Sequence, residues 1–167
     1  MLQIKFYPDS DRENVTQAIQ EYQQIWENEG PKFVEVIEKT SGLKFVESFI
    51  NVIVFEGPSR SRPLCLRASY DVETKKATLI HELCHRLFIG NKITKRQDIN
   101  DSTELVSHKN INLILYDIWV ELFGRKVADH QVQVESVRQP FYKDAWVWTL
   151  SITAEERKVK LKELCSR

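Results

Sequence analysis

The chain has 167 residues, of which 42% are hydrophobic and 29% charged. That is enough chain to bury a sizeable core, and it is too apolar for a disordered segment. Its 24 Lys and Arg balance 24 Asp and Glu, so no net basic charge points to nucleic acid, and none is expected as a partner.

No stretch approaches the roughly 18 uninterrupted apolar residues of a membrane span, and Met1 to Tyr7 lacks the apolar run of a signal peptide. No membrane association is therefore expected. Cys65, Cys84 and Cys165 are widely spaced and form no C-x-x-C pair, which fits a reducing, cytoplasmic compartment.

In chain order, Leu2 to Tyr7 alternates as a strand that ends at Pro8. A helix is expected from Asp9 or Ser10 to about Glu29, with Val15, Ala18, Ile19, Tyr22, Ile25 and Trp26 on one stripe, and with Gly30-Pro31 as its break. Lys32 to Lys39 reads as a second, shorter helix turned at Ser41-Gly42. Leu43 to Val46 and Phe49 to Phe55 read as strands, the latter almost wholly β-branched or aromatic. A Ser/Arg-rich loop runs from Gly57 to Arg62, and Leu64 to Tyr70 is a further strand. Placed just ahead of the next helix, that strand is expected to be a sheet edge able to hold an extended peptide by strand addition.

Asp71 to Phe88 reads as a helix capped by Asp71 and stopped at Gly90. It carries His81-Glu82-Leu83-Cys84-His85. At 3.6 residues per turn, His81 and His85 share a face and can reach one metal ion, with Glu82 beside it. Two zinc ligands and a general base are the physical content of H-E-x-x-H. Cys84 points away from the histidines and reads as a small buried hydrophobe rather than a ligand.

Asn91 to Ser102 is a polar loop long enough to rim the site. Asp101 or Ser102 caps the next helix, which runs to Phe123 before Gly124. Lys126 to about Val137 is an amphipathic helix, Pro140 starts an aromatic-rich one, and Thr153-Ala154-Glu155-Glu156 is a capping box for the last. The whole of 1–167 is expected as one domain. It comprises an α/β part to about residue 70, metal-binding helices over about 71–124 and a helical part over 125–167.

Catalytic zinc takes three protein ligands and leaves one open position. The helix after the loop offers three candidates for the third: Glu104, His108 and Asp117. Asp117 stands among Leu113, Ile114, Leu115, Ile118 and Trp119, where an unpaired carboxylate is costly. A metal, a hydrogen bond to a metal-bound histidine, or a salt bridge to a buried arginine or lysine would offset that cost. His108 and Asp117 lie nine residues apart, half a turn out of phase, so they do not both face one ion.

His81 to His85 is similar to the zinc-binding helix of the zincin metallopeptidases. Asp117-Ile118-Trp119-Val120-Glu121-Leu122-Phe123-Gly124 resembles the second metal helix of their thermolysin-like, or gluzincin, branch. There an acidic ligand is followed four residues later by another acid, then by a hydrophobic residue, Phe and Gly. The resemblance implies Asp117 as third ligand, although the family normally uses the longer glutamate, and Glu121 as hydrogen-bond partner of a zinc-bound histidine. It implies an α+β, zincin-like metallopeptidase domain with a small mixed sheet packed against helices, holding Zn2+ and hydrolysing a peptide or protein substrate with Glu82 as general base. Tyr142, His130 and Arg138 are the candidate donors to the oxyanion. The alternative is a non-enzymatic metal-binding or protein-interaction domain on the same scaffold, which a closed fourth coordination position would signal.

Overall fold

The computed structural model describes residues 2–93 and 102–166. Its order is β1 (Gln3–Pro8), α1 (Glu13–Ser41), β2 (Phe49–Phe55), β3 (Arg60–Ser61), β4 (Leu64–Arg67), α2 (Val72–Gly90), α3 (Thr103–Phe123), α4 (Arg125–Ser136), α5 (Pro140–Leu150) and α6 (Ala154–Cys165). The fold is therefore α+β, with a small mixed sheet and a larger helical layer.

The sheet runs β1-β2-β4-β3. β1 and β4 flank β2 in parallel, whereas β3 pairs antiparallel to β4. Alternation sets the faces: Ile50, Val52 and Val54 of β2 are buried while Phe49, Asn51 and Ile53 are exposed. The inner face joins a continuous core with Val15, Tyr22, Phe33 and Ile37 of α1 and Leu79, Ile80, Leu83 and Leu87 of α2.

Three expectations change here. α1 does not break at Gly30-Pro31 but continues through both residues to Gly42, whose φ of 72° closes the helix with its N–H donating to the Glu38 carbonyl. Proline within a helix costs about 3 kcal/mol, but Phe33, Val36 and Ile37 beyond it are buried, each worth about 1.5–3 kcal/mol. The packing prevails. Gly30 serves a close approach rather than a stop, since a Cβ there would lie 2.6 Å from Cδ2 of the Trp26 ring.

Leu43 to Val46 is not a strand. It folds back on the end of α1, where the Phe45 N–H donates to Glu38 Oε1 and Lys44 pairs with the same carboxylate. The strand entering α2 is not an edge either: β4 is interior, and the edge is the two-residue β3.

The helix ends follow their caps. Asp71 accepts from the Thr74 N–H at 2.7 Å, Ser102 accepts from Leu105, and the Thr153–Glu156 capping box forms at α6. A cap is worth about 1 kcal/mol, less than one buried leucine, so caps set where these helices start while packing sets that they form. Most of the polar segment expected as a loop over Asn91–Ser102 lies outside the described residues, as does the alternative cap Asp101. Among the described residues, no helix is long and apolar enough to cross a membrane.

Candidate metal centre

α2 is buried nearly all round, and its polar residues Thr78, His81, Glu82 and His85 form one stripe within it. His81, Glu82 and His85 are 2%, 3% and 9% exposed. The first half of α3 crosses this stripe and brings in His108, 8% exposed. One nitrogen from each of His81, His85 and His108 lies within 4.8 Å of the others. The ring centroids stand 5.0 Å (His81–His85), 5.3 Å (His81–His108) and 5.0 Å (His85–His108) apart.

The three residues fit a zinc ion on two grounds. The Nε2 atoms of His81 and His85 are 3.2 Å apart, and two nitrogens on a tetrahedral ion at 2.0–2.1 Å are separated by about 3.3 Å. The other ring nitrogens are also engaged. Glu135 Oε1 lies 2.7 Å from His81 Nδ1, His108 Nδ1 lies 2.6 Å from the Glu104 backbone carbonyl, and Ser107 Oγ is 3.4 Å from His85 Nδ1. Partners at Nδ1 hold each ring with Nε2 towards the shared space. Among the described residues the group has these three members.

Asp117, expected as a ligand, is not among them. Half a turn out of phase with His108, its carboxylate takes the Arg157 guanidinium at 2.6 and 3.3 Å. Arg157 is buried, and this pair, rather than a metal, balances the charge of Asp117. Glu121 pairs with Lys39 at 2.8 Å on the exposed side. The gluzincin-like register over Asp117–Gly124 therefore does not supply this site. The carboxylate on the histidine is Glu135 of α4, which is 2% exposed and receives the Trp146 indole N–H at 2.9 Å. The sequence signal for it is a polar pair at helical spacing on one face of α4, Gln131 and Glu135, with Arg138 in the turn just beyond the helix.

Burial pushes Glu82 up to about 7, with Glu135 adding to the rise and His81 opposing it. Burial disfavours charge on both His81 and Glu135, but each favours the charged form of the other, and on balance His81 is raised and Glu135 lowered. The Cys84 thiol is pushed far up by burial, which keeps it protonated and outside metal chemistry.

A cleft of about 370 Å³ opens over the site, lined by Glu82, His85, His108, Glu104, Tyr142 and the edge at Ser59–Ser61, among others. Of the three expected donors, Tyr142 alone lines it; its ring is 4.4 Å from that of His108, and burial holds its phenol protonated. Arg138 lies behind, against Glu135 at 4.0 Å and over the Tyr70 ring. His130 is on the surface, 2.9 Å from Glu73.

Comparison with protein-family models, with curated proteins and with solved structures returns no match for this chain.

Proposed function

We propose that the chain is a zincin-type zinc peptidase in which His81, His85 and His108 hold the metal and Glu82 is the general base. The observation that carries the reading is the convergence of three buried imidazoles, two of which, His85 and His108, line an open cleft together with the buried carboxyl of Glu82. A structural zinc site usually supplies four protein ligands, whereas a catalytic one supplies three and faces a cavity.

Zinc bound there would lower the pKa of a water towards neutrality and polarise a carbonyl. Glu82 takes the proton of the attacking water and delivers it to the leaving amine. Tyr142 remains protonated and donates its O–H to the oxyanion developing in the cleft. Glu135 keeps the His81 ring oriented. Ser59 to Ser61, at the sheet edge on the rim, offers backbone groups to an extended peptide.

The test is hydrolysis of a quenched-fluorescent peptide library by zinc-loaded protein, with Glu82→Gln as the control. Cleavage should fall by at least about 100-fold in the variant while metal content stays the same. Metal bound without cleavage of any peptide would favour the non-enzymatic alternative.

A further inference from the structure

The sheet has a second face. Helices α1 and α2 cover the face that carries Phe6, Val52 and Leu66, and the strand registers place a different set of side chains on the other. In successive rows across the strands these are Gln3 and Phe49; Lys5 and Asn51; Tyr7, Ile53, Cys65 and Arg60; and Phe55 and Arg67. Tyr7, Phe49 and Ile53 are 37%, 46% and 36% exposed, although a surface strand ordinarily turns polar residues outward.

We propose that this open face binds single-stranded nucleic acid. Every charged side chain in the four rows is a cation: Lys5, Arg60 and Arg67. The cations interleave with aromatic rings, since Lys5 Nζ stands 5.2 Å from the Tyr7 ring centre and the Arg60 guanidinium 5.9 Å from that of Phe55. The carboxylate nearest in sequence to these rows, Glu56, follows the end of β2, where Asn14, Ser69 and Arg67 already engage it. Lys5, Arg60 and the exposed rings of Tyr7 and Phe49 therefore carry the argument. Flat rings on an open sheet are stacking platforms for unpaired bases, and cations between them meet the phosphates. Duplex DNA keeps its base faces stacked inside and cannot use the rings.

Charge argues against a second copy of the chain as occupant. Self-association through this face would bring Lys5, Arg60 and Arg67 against one another with no acid in the rows to receive them. The zero net charge of the whole chain had argued against nucleic acid, but a sum over 167 residues does not report the sign of one face.

The test is fluorescence anisotropy of a labelled oligothymidylate with the full chain at low salt, repeated on a Tyr7→Ala/Phe49→Ala double variant and on Lys5→Glu. The expected result is binding that weakens steeply with salt. It should fall about tenfold or more in the double variant and several-fold in Lys5→Glu, with a duplex of equal length bound more weakly. The altered side chains are exposed, so the thermal melt should stay close to that of the parent. No binding at low salt, binding unchanged in both variants, or equal affinity for the duplex would overturn the proposal. Concentration-dependent dimerisation abolished by the double variant would overturn it too, by giving the face to a second copy.

Discussion

Three imidazoles share a metal-sized space because each has its other nitrogen engaged elsewhere. The partner with the greatest leverage is Glu135, buried and 2.7 Å from His81 Nδ1. Glu135→Gln should lower zinc affinity by about 10–100-fold, measured by competition with a chelator; unchanged affinity would remove Glu135 from any role in holding the metal. Glu82 has a separate signature in the metal-free protein. Its folded pKa of about 7 lies above the usual 4.5 because burial disfavours its charge. The folded state therefore holds the proton more tightly than the unfolded one, and stability falls as pH rises from about 4.5 to 7, by about 3 kcal/mol at most. Glu82→Gln lacks that loss. Metal-free, it should melt above the parent at pH 8, and the gap should close by about pH 4. A gap independent of pH would mean that Glu82 is not held in a desolvating site.

At the scale of elements, periodicity and capping were legible from sequence, and register in space was not. Phe49–Phe55 reads as a strand because its β-branched and aromatic residues alternate between the core and the open face. α2 reads as a helix because Asp71 caps it and apolar residues recur along it. α1 misled because Gly30-Pro31 is a local stop signal, whereas the continuation is set by buried residues on both sides and by the Trp26 ring lying over Gly30. Gly30→Ala tests this. Alanine favours a helix interior by about 1 kcal/mol, yet its Cβ would meet the Trp26 ring at 2.6–2.9 Å. The variant should lose about 1–3 kcal/mol by denaturant unfolding, whereas a gain in stability would show that the ring moves aside freely. Leu43 to Val46 misled for a related reason: its apolar residues suit a strand, but Glu38 captures the Phe45 N–H before any strand can.

At the scale of the whole molecule, the motif pointed to the candidate metal site, but only the fold brings a third histidine to it. His81, Glu82 and His85 are five consecutive residues' worth of information. His108 lies 23 positions beyond His85, and Glu135 lies 27 beyond His108; which of α3's faces meets α2, and that α4 reaches behind His81, are products of packing. Asp117 attracted attention as a carboxylate in an apolar stretch. Its partner, Arg157, is 40 residues away on α6, beyond any local pattern. The same distinction governs charge, since a zero total conceals a face whose charges are all positive.

Three histidines, and not Asp117, are proposed to hold zinc. The measurement is zinc per chain by elemental analysis for the parent, His108→Ala and Asp117→Ala. About one zinc per chain is expected in the parent and in Asp117→Ala, and little in His108→Ala. Asp117→Ala should instead lose about 1–3 kcal/mol of stability, because it leaves the buried Arg157 without its carboxylate. Zinc retained by His108→Ala and lost from Asp117→Ala would exclude His108 as a ligand and return the third ligand to the acidic end of α3.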